Sequence, residues 1–193
     1  MFLIKDDSWY VSKTKDKGFG VFAKAEIKVG TVIGDYLGKV IDNLQYDPKI
    51  EKNGLYLMYF TDEASIFPDL KKPGLHLLNH SCNPNCRFYF YKWHTLFFAL
   101  KKILPGDELT ISYMLSPKEN CNNCTHNCIC GSKHCTGTMH LSRDKYKIWR
   151  KYQEAQKKKT KKPKIVFGKN LPKLTSYPKS ILNNPIYSII TNN

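Results

Sequence analysis

The amino-acid sequence predicts a mainly β fold of the α+β class, followed by a cysteine-rich segment and a basic C-terminal helix. Up to about residue 115 the apolar segments are short, rich in β-branched and aromatic residues, and separated by turn signals. Residues 116–138 are rich in Cys, Asn and Gly and show no strand pattern, and from Ser142 the apolar residues follow a helical period. The chain of 193 residues contains 12 Tyr and 10 Phe, enough for an aromatic core.

The β part is predicted to contain seven strands. Each is a short apolar segment bounded by turn signals such as Lys17-Gly18, Val29-Gly30 and Pro105-Gly106-Asp107. The predicted strands, in chain order, are Trp9–Ser12, Gly20–Ala23, Thr31–Tyr36, Leu55–Phe60, Cys86–Tyr91, Thr95–Lys101 and Glu108–Tyr113.

The helix is predicted to begin after Ser142, a suitable N-cap, and to end before Pro163. Residues 165–193 scatter apolar side chains among prolines and glycines, so we expect this tail to pack loosely or to be disordered. The predicted apolar face of the helix carries Leu141, Ile148, Tyr152 and Ala155, with Trp149 beside them.

The formal net charge of +15 is concentrated near the C-terminus. Residues 1–140 carry 17 Lys and Arg against 14 Asp and Glu, whereas residues 141–193 carry 14 against 2. Contact with DNA or a nucleosome is therefore expected through residues 143–164. The lysine run over 157–162 could equally be a nuclear-localisation signal or a solvated helix end.

No membrane partner is expected, because no apolar run approaches the ~18 residues that a spanning helix needs. The N-terminus turns polar too soon for a signal peptide, which predicts an intracellular protein. In that compartment, cysteines favour metal binding or catalysis over disulfides. Cys121, Cys124, Cys128, Cys130 and Cys135 have the spacing of metal ligands, and the spacing alone does not decide which four bind.

Two other segments are unusual. A run of polar residues and cysteines over 79–86 (Asn-His-Ser-Cys-Asn-Pro-Asn-Cys) separates an apolar segment from an aromatic strand, so its polar groups need partners or a ligand. Gly18-Phe19-Gly20 is a Gly-x-Gly between a turn and a strand. It lacks the third glycine and the following helix of a dinucleotide-binding motif.

Taken in order, these motifs resemble those of SET-domain protein lysine methyltransferases with a post-SET zinc motif. The resemblance covers roughly residues 8–139. It implies a SET domain over 8–115, built of small β-sheets around a pseudo-knot, and a post-SET zinc motif over 116–139, before the basic helix (140–164) and the tail (165–193). The matching segments are Gly18/Gly20, Tyr36-Leu37-Gly38, Asn79–Asn85, Glu108–Tyr113 and Cys128/Cys130/Cys135.

The resemblance also implies roles for individual residues. Tyr113 would be the catalytic tyrosine, Tyr56 a second tyrosine of the lysine channel, and Ile111 the gate residue that sets the number of methyl groups. An aliphatic gate holds no water near the amine, which favours di- or trimethyl-lysine. The residues that would bind S-adenosylmethionine are Gly18, Phe19, Gly20, Tyr36, Asn79 and His80.

In the same family, zinc takes one ligand from the Asn-His-Ser-Cys segment and three from the terminal cysteines. Carried over, the ligands of one Zn²⁺ per chain are Cys82, Cys128, Cys130 and Cys135. In the alternative, Cys121 and Cys124 form a local site with Cys128 and Cys130.

We therefore expect a nuclear or chromatin-associated enzyme that methylates lysine in a protein, with a histone tail as the expected substrate. The alternative is a zinc-stabilised nucleic-acid-binding or chromatin-binding protein whose SET-like body is catalytically idle.

Overall fold

A computed structural model describes residues 8–47, 49, 55–122, 124–159, 164–184 and 187. The predicted mainly β fold with one helix is confirmed, with ten strands and one α-helix in these residues. They are β1 (Trp9–Lys13), β2 (Phe19–Ala23), β3 (Val32–Asp35), β4 (Lys39–Asp42), β5 (Met58–Tyr59), β6 (Ala64–Phe67), β7 (Asn79–His80), β8 (Cys86–Tyr91), β9 (His94–Ala99), β10 (Glu108–Ile111) and α1 (Arg143–Lys159). Short 3₁₀ turns cover Leu75–Leu77 and Lys118–Asn120.

The strands form three small sheets, with the orders β1-β2-β10-β7, β3-β9-β8 and β4-β6-β5. In the first sheet, β10 pairs antiparallel with β2 and parallel with β7, so it joins segments that are far apart in the chain. The second sheet contributes much of the core, because all six residues of β9 are buried. Among the described helices, none is long and apolar enough to cross a membrane.

Each of the seven predicted strands overlaps an observed strand. The strands β4, β6 and β7 were not predicted. The last of these is Asn79–His80, which lies inside the polar run that was expected to need partners.

The helix α1 begins directly after Ser142, whose Oγ accepts a hydrogen bond from the backbone N–H of Lys145 at 3.4 Å. Its buried face agrees only in part with the predicted one. Ile148 is 42% exposed and Ala155 is exposed, whereas Trp149 is buried. Tyr152 of the expected face is buried and Leu141 packs partly buried against the core, so only Ile148 and Ala155 of that face point to solvent.

Aromatic packing explains this rotation of α1. The ring of Trp149 lies edge-on to Phe88 at 5.3 Å, and Tyr152 stacks on Phe90 at 6.1 Å between ring centroids. Both partners belong to β8. Aromatic pairs bury more area than aliphatic side chains, so they decide which face is covered.

The C-terminal segment over 164–184 is joined to the sheets by backbone hydrogen bonds, although most of its side chains are exposed. The backbone N–H of Val32 donates to the carbonyl of Lys179 at 2.9 Å, and that of Ile181 donates to the carbonyl of Gly30 at 2.9 Å. The side chain of Ile181 is fully buried. Of residues 185–193, only Tyr187 is among those described, and the side chains of the lysine run over 157–162 lie outside them.

Candidate active site and metal centre

The segment Asn79–His80 lies parallel to the end of β10, with Asn79 opposite Thr110 and His80 opposite Ile111. The side-chain amide of Asn79 donates to the carbonyl of Phe19 at 3.0 Å and to Oε1 of Glu108 at 2.8 Å. This arrangement brings the Gly-x-Gly, the polar run and the Glu108–Tyr113 segment to one place.

Glycine is required at the two positions of Gly18-Phe19-Gly20 for different physical reasons. Gly18 has a φ of +74°, a left-handed conformation that favours glycine. A Cβ on Gly20 would lie 2.9 Å from Oε1 of Glu108 and 3.1 Å from Nδ2 of Asn79. Phe19, between the two glycines, is 52% exposed.

Tyr113 is fixed at three points. Its hydroxyl donates to the carbonyl of Leu78 at 3.2 Å, and its backbone N–H donates to Nδ1 of His80 at 3.2 Å. Its ring lies edge-on to His80 at 5.3 Å. Burial, reinforced by the nearby Tyr56 hydroxyl, raises the pKa of Tyr113 to about 12. The hydroxyl is therefore protonated at neutral pH and acts as a hydrogen-bond donor.

His80 lies between Tyr113 and Cys82. Burial, together with the positive charge of Lys17, lowers the pKa of His80 to about 4, so the ring is neutral. Since its Nδ1 accepts the Tyr113 N–H, its proton resides on Nε2, which faces Cys82 Sγ at 3.6 Å.

A cleft of about 300 Å³ opens beside Tyr113. Ile111 lines it, and so does Tyr36, whose hydroxyl donates to the backbone carbonyl of Tyr56. Tyr36 is therefore part of the cleft wall. Further lining comes from residues in or next to β5 and the first 3₁₀ turn, from β8, from the segment after β10 and from α1: Leu55, Leu57, Met58, Tyr59, Leu75, His76, Leu78, Phe88, Met114, Leu115, Ser116, Tyr146, Trp149, Arg150 and Gln153.

Cys82 lies beside three cysteines that are more than 40 residues away in the chain. Its Sγ is 3.6 Å from that of Cys128 and 4.0 Å from that of Cys135, and the Sγ of Cys130 is within 4.8 Å of all of them. Four thiolates around Zn²⁺ in a regular tetrahedron are about 3.8 Å apart, given Zn–S bonds of about 2.3 Å. The four sulfurs therefore fit a structural zinc ion.

The architecture and these motifs agree with a comparison against protein families. A family model described as "SET domain" matches residues 18–114, half of the chain. The chain belongs to the SET-domain family. The matched residues begin at the Gly-x-Gly and end just after Tyr113, so this SET domain contains all the proposed cofactor and catalytic residues.

Its relatives include several proteins named as histone-lysine N-methyltransferases. A Candida glabrata protein described as H3 lysine-36 specific is 32% identical over 142 residues, which covers 67% of this chain and 19% of that protein. NSD3 of Mus musculus is 31% identical over 141 residues (67% and 10%), and mes-4 of Caenorhabditis elegans is 28% identical over 154 residues (67% and 16%). The chain spans less than a fifth of the length of these relatives.

Asn85, for which no role was predicted, forms two side-chain hydrogen bonds with β10 of the SET domain. Its amide Nδ2 donates to the carbonyl of Glu108 at 2.8 Å, and its Oδ1 accepts the backbone N–H of Thr110 at 2.8 Å. Asn85 belongs to the polar run over 79–86. Because buried polar groups need hydrogen-bond partners, a structural role for Asn85 could have been predicted from the sequence.

Cys121 and Cys124 do not join Cys128 and Cys130, as the alternative zinc site required. They lie instead beside two histidines that the sequence analysis did not consider, His126 and His140. The signal available in the sequence was a histidine two residues after the Cys-x₂-Cys pair.

Proposed function

We propose that this chain transfers a methyl group from S-adenosylmethionine to the side-chain amine of a lysine in a protein substrate. The observation that carries the proposal is the placement of Tyr113. Its hydroxyl is protonated and held by Leu78, and its ring lines a cleft of mainly apolar and aromatic side chains. The names of the relatives support the same reaction.

The cleft supplies what the lysine needs in order to react. A free lysine amine has a pKa of about 10.4 and must lose its proton before it attacks. An apolar cleft disfavours the charged amine and so lowers its pKa. The aromatic walls align the side chain, and the Tyr113 hydroxyl orients the amine by hydrogen bonding, which is catalysis by positioning.

We propose that Gly18, Phe19, Gly20, Asn79 and His80 hold the cofactor, with Tyr36 contributing from the cleft side. The residues fit such a ligand, because Phe19 is half-exposed, the space beside Gly18 is open, and the polar side chain of Asn79 is bonded to the carbonyl of Phe19. S-adenosylmethionine, when bound, supplies a methyl group on a positively charged sulfur. We expect the neutral His80 ring to keep this site free of a competing positive charge.

A histone is the proposed substrate class, and we propose nuclear or chromatin association with it. Relatives described as H3 lysine-36 specific make lysine 36 of histone H3 the first position to test. The proposed products are di- and trimethyl-lysine, because the gate position carries Ile111.

The test is transfer of radiolabelled methyl from S-adenosylmethionine to nucleosomes, core histones and bulk cell protein. Tyr113→Phe should lower the rate by at least about 100-fold, because one positioned hydroxyl is lost, while cofactor affinity measured by calorimetry stays unchanged. Tyr10→Phe is the matched control, because it also removes a tyrosine hydroxyl, but from β1. Tyr10 is 40% exposed. A Tyr113→Phe variant as fast as the wild type would contradict the assignment.

The competing function is a chromatin-binding protein with an idle SET domain. It would be favoured if the wild-type chain bound nucleosomes but transferred no methyl group to any of these substrates.

We also propose that α1 contacts DNA. Lys145, Lys147 and Lys151 are exposed on this helix, away from the buried Trp149. Replacing the three lysines by Gln should weaken binding to a DNA duplex and reduce its salt dependence, because each phosphate contact releases counterions. Equal salt slopes for the variant and the wild type would show that these lysines are merely solvated.

A further inference from the structure

A second group of metal-ligand side chains lies close to the start of α1. It consists of Cys121, Cys124, His126 and His140. The two Sγ atoms, Nδ1 of His126 and Nε2 of His140 all lie within 4.8 Å of one another. None of these residues lines the cleft or belongs to the Cys82 cluster.

The distances match those in a tetrahedral Cys₂His₂ site. With Zn–N bonds of about 2.05 Å and Zn–S bonds of about 2.3 Å, ligand atoms lie about 3.3 Å apart for two nitrogens and about 3.6 Å for nitrogen and sulfur. The His126 and His140 nitrogens are 3.3 Å apart, and Nδ1 of His126 is 3.5 Å from Cys121 Sγ and 3.7 Å from Cys124 Sγ. The Cys124 Sγ to His140 Nε2 distance is shorter, at 3.0 Å.

The outer side of the cluster provides an independent observation. The other ring nitrogen of His140, Nδ1, is hydrogen-bonded to the backbone carbonyl of Ser116, and the ring is buried. A carbonyl accepts, so Nδ1 carries the proton, and in the neutral ring Nε2 presents a lone pair to the cluster. A backbone carbonyl that fixes the tautomer of a histidine in this way is the usual outer partner of a metal ligand.

The surrounding segment has little else to order it. Among the described residues of 116–140, only Pro117, Cys128 and His140 are buried, and none of them belongs to the hydrophobic core cluster. Segments with so little apolar burial depend on metal ligation for their stability.

We propose that Cys121, Cys124, His126 and His140 bind a second, structural Zn²⁺ that fixes the start of α1. Two thiolates and two imidazoles are a typical zinc ligand set, and four protein ligands leave no open position for catalysis. The proposal does not depend on methyltransferase activity.

The site is connected to the cleft through the backbone. His140 is paired with Leu115, and the N–H of Leu141 donates to the carbonyl of Leu115 at 3.1 Å. The helix α1 starts two residues later, and its Tyr146 and Trp149 line the cleft beside Tyr113. The four ligands are therefore positioning residues for one wall of the cleft.

The experiment counts zinc in the purified full chain by native mass spectrometry and by elemental analysis. The wild type should hold two zinc ions, and His126→Ala and Cys135→Ser should each hold one. His134→Ala is the matched control, since this exposed histidine lies in the same segment outside both clusters, and it should keep two. One zinc in the wild type, or two in His126→Ala, would overturn the proposal.

Two measurements on the wild type keep the test decisive if a variant fails to fold. Cobalt-substituted protein should show d–d bands of two tetrahedral sites, one with four thiolates and one with mixed ligands. Cys121 and Cys124 should resist alkylation until a chelator is added, as followed by peptide mass spectrometry. Bands of a single four-thiolate site, or equal alkylation with and without chelator, would show that the cluster holds no metal.

Amide hydrogen exchange tests the structural consequence. In folded His126→Ala, the amides of Tyr146–Tyr152 should exchange faster than in His134→Ala. Identical exchange in the two variants would show that the second metal does not fix the position of α1.

Discussion

The central position of the polar run over 79–86 is explained residue by residue. Asn79 donates two side-chain hydrogen bonds, His80 accepts the Tyr113 N–H, and Asn85 both donates to and accepts from β10. An unpaired buried polar group costs about 1–3 kcal/mol of stability, so a run of this kind is tolerated only when its members are satisfied. In this chain their partners are the strand that leads to Tyr113 and the start of β2 at Phe19, so the same bonds that satisfy the polar groups also assemble the site.

The gate at Ile111 gives a prediction at this scale. Ile111 is 5% exposed and lines the cleft together with Tyr113. Ile111→Tyr should shift the products toward monomethyl-lysine, because the added hydroxyl can hold a water molecule that crowds a methylated amine. The measurement is mass spectrometry of a substrate peptide at long reaction times.

Ile111→Val is the control, since it changes volume without adding a hydroxyl, and it should leave the wild-type mixture of products unchanged. Wild-type protein that accumulates only monomethyl product would disprove the argument. Thermal melting of both variants shows whether the larger tyrosine has disturbed the core.

At the scale of elements, the helix α1 packs against the SET domain. Its buried side chains pack on β8 through Phe88 and Phe90, and Tyr152 Oη accepts a hydrogen bond from the backbone N–H of Phe90 at 3.3 Å. The same helix carries exposed lysines on its outer side. One element therefore joins the core, the cleft wall and the basic surface.

Two adjacent residues of α1 test this packing. Trp149→Ala should lower the free energy of unfolding by about 3–5 kcal/mol, because a large buried aromatic side chain is removed. Ile148→Ala should change it by less than about 0.5 kcal/mol, because Ile148 is on the exposed side. Urea unfolding of both variants measures the difference, and a larger loss for Ile148→Ala would favour the face predicted from the sequence.

The sequence predicted those elements whose pattern is local. The strands β8 and β9 are continuous apolar and aromatic segments, and both were predicted nearly to their ends. In contrast, β4 and β7 are short segments with polar residues, and β6 follows the polar Thr61-Asp62-Glu63. Their strand conformation comes from pairing with distant partners, which a local pattern does not contain.

The same distinction applies to the candidate site. The resemblance to known SET domains predicted Tyr113, Asn79 and the four cysteines including Cys82, because their spacing is a family motif. No local pattern joined His126 to His140, which are 14 positions apart in the sequence. The backbone pairing of Asn127 with Thr138, and of Leu115 with His140, brings them together.

At the scale of the whole molecule, the C-terminal segment over 164–184 holds two sheets together. It forms bridges with residues flanking or within β3 and β4, through Thr31 to Ser180 and through Lys39 to Asn170. Near the first bridge, the Tyr177 hydroxyl donates to the buried Asp35 carboxylate at 2.9 Å. These contacts cover backbone edges of strands that would otherwise be open to pairing with other chains.

The contribution of this segment is tested by two neighbouring side chains near its end. The side chain of Ile181 is fully buried, whereas Leu182 is 49% exposed. Ile181→Ala should lower the free energy of unfolding by about 2–5 kcal/mol, from lost transfer energy and the cavity that remains. Leu182→Ala removes a side chain of equal size but should have a clearly smaller effect, because half of that side chain is already in water.

Chemical denaturation of both variants gives the comparison. Amide exchange of Val32 reports whether the segment has detached, since the N–H of Val32 is bonded to the carbonyl of Lys179. Equal stabilities for the two variants, with Val32 still protected, would mean that the segment lies on the body without stabilising it.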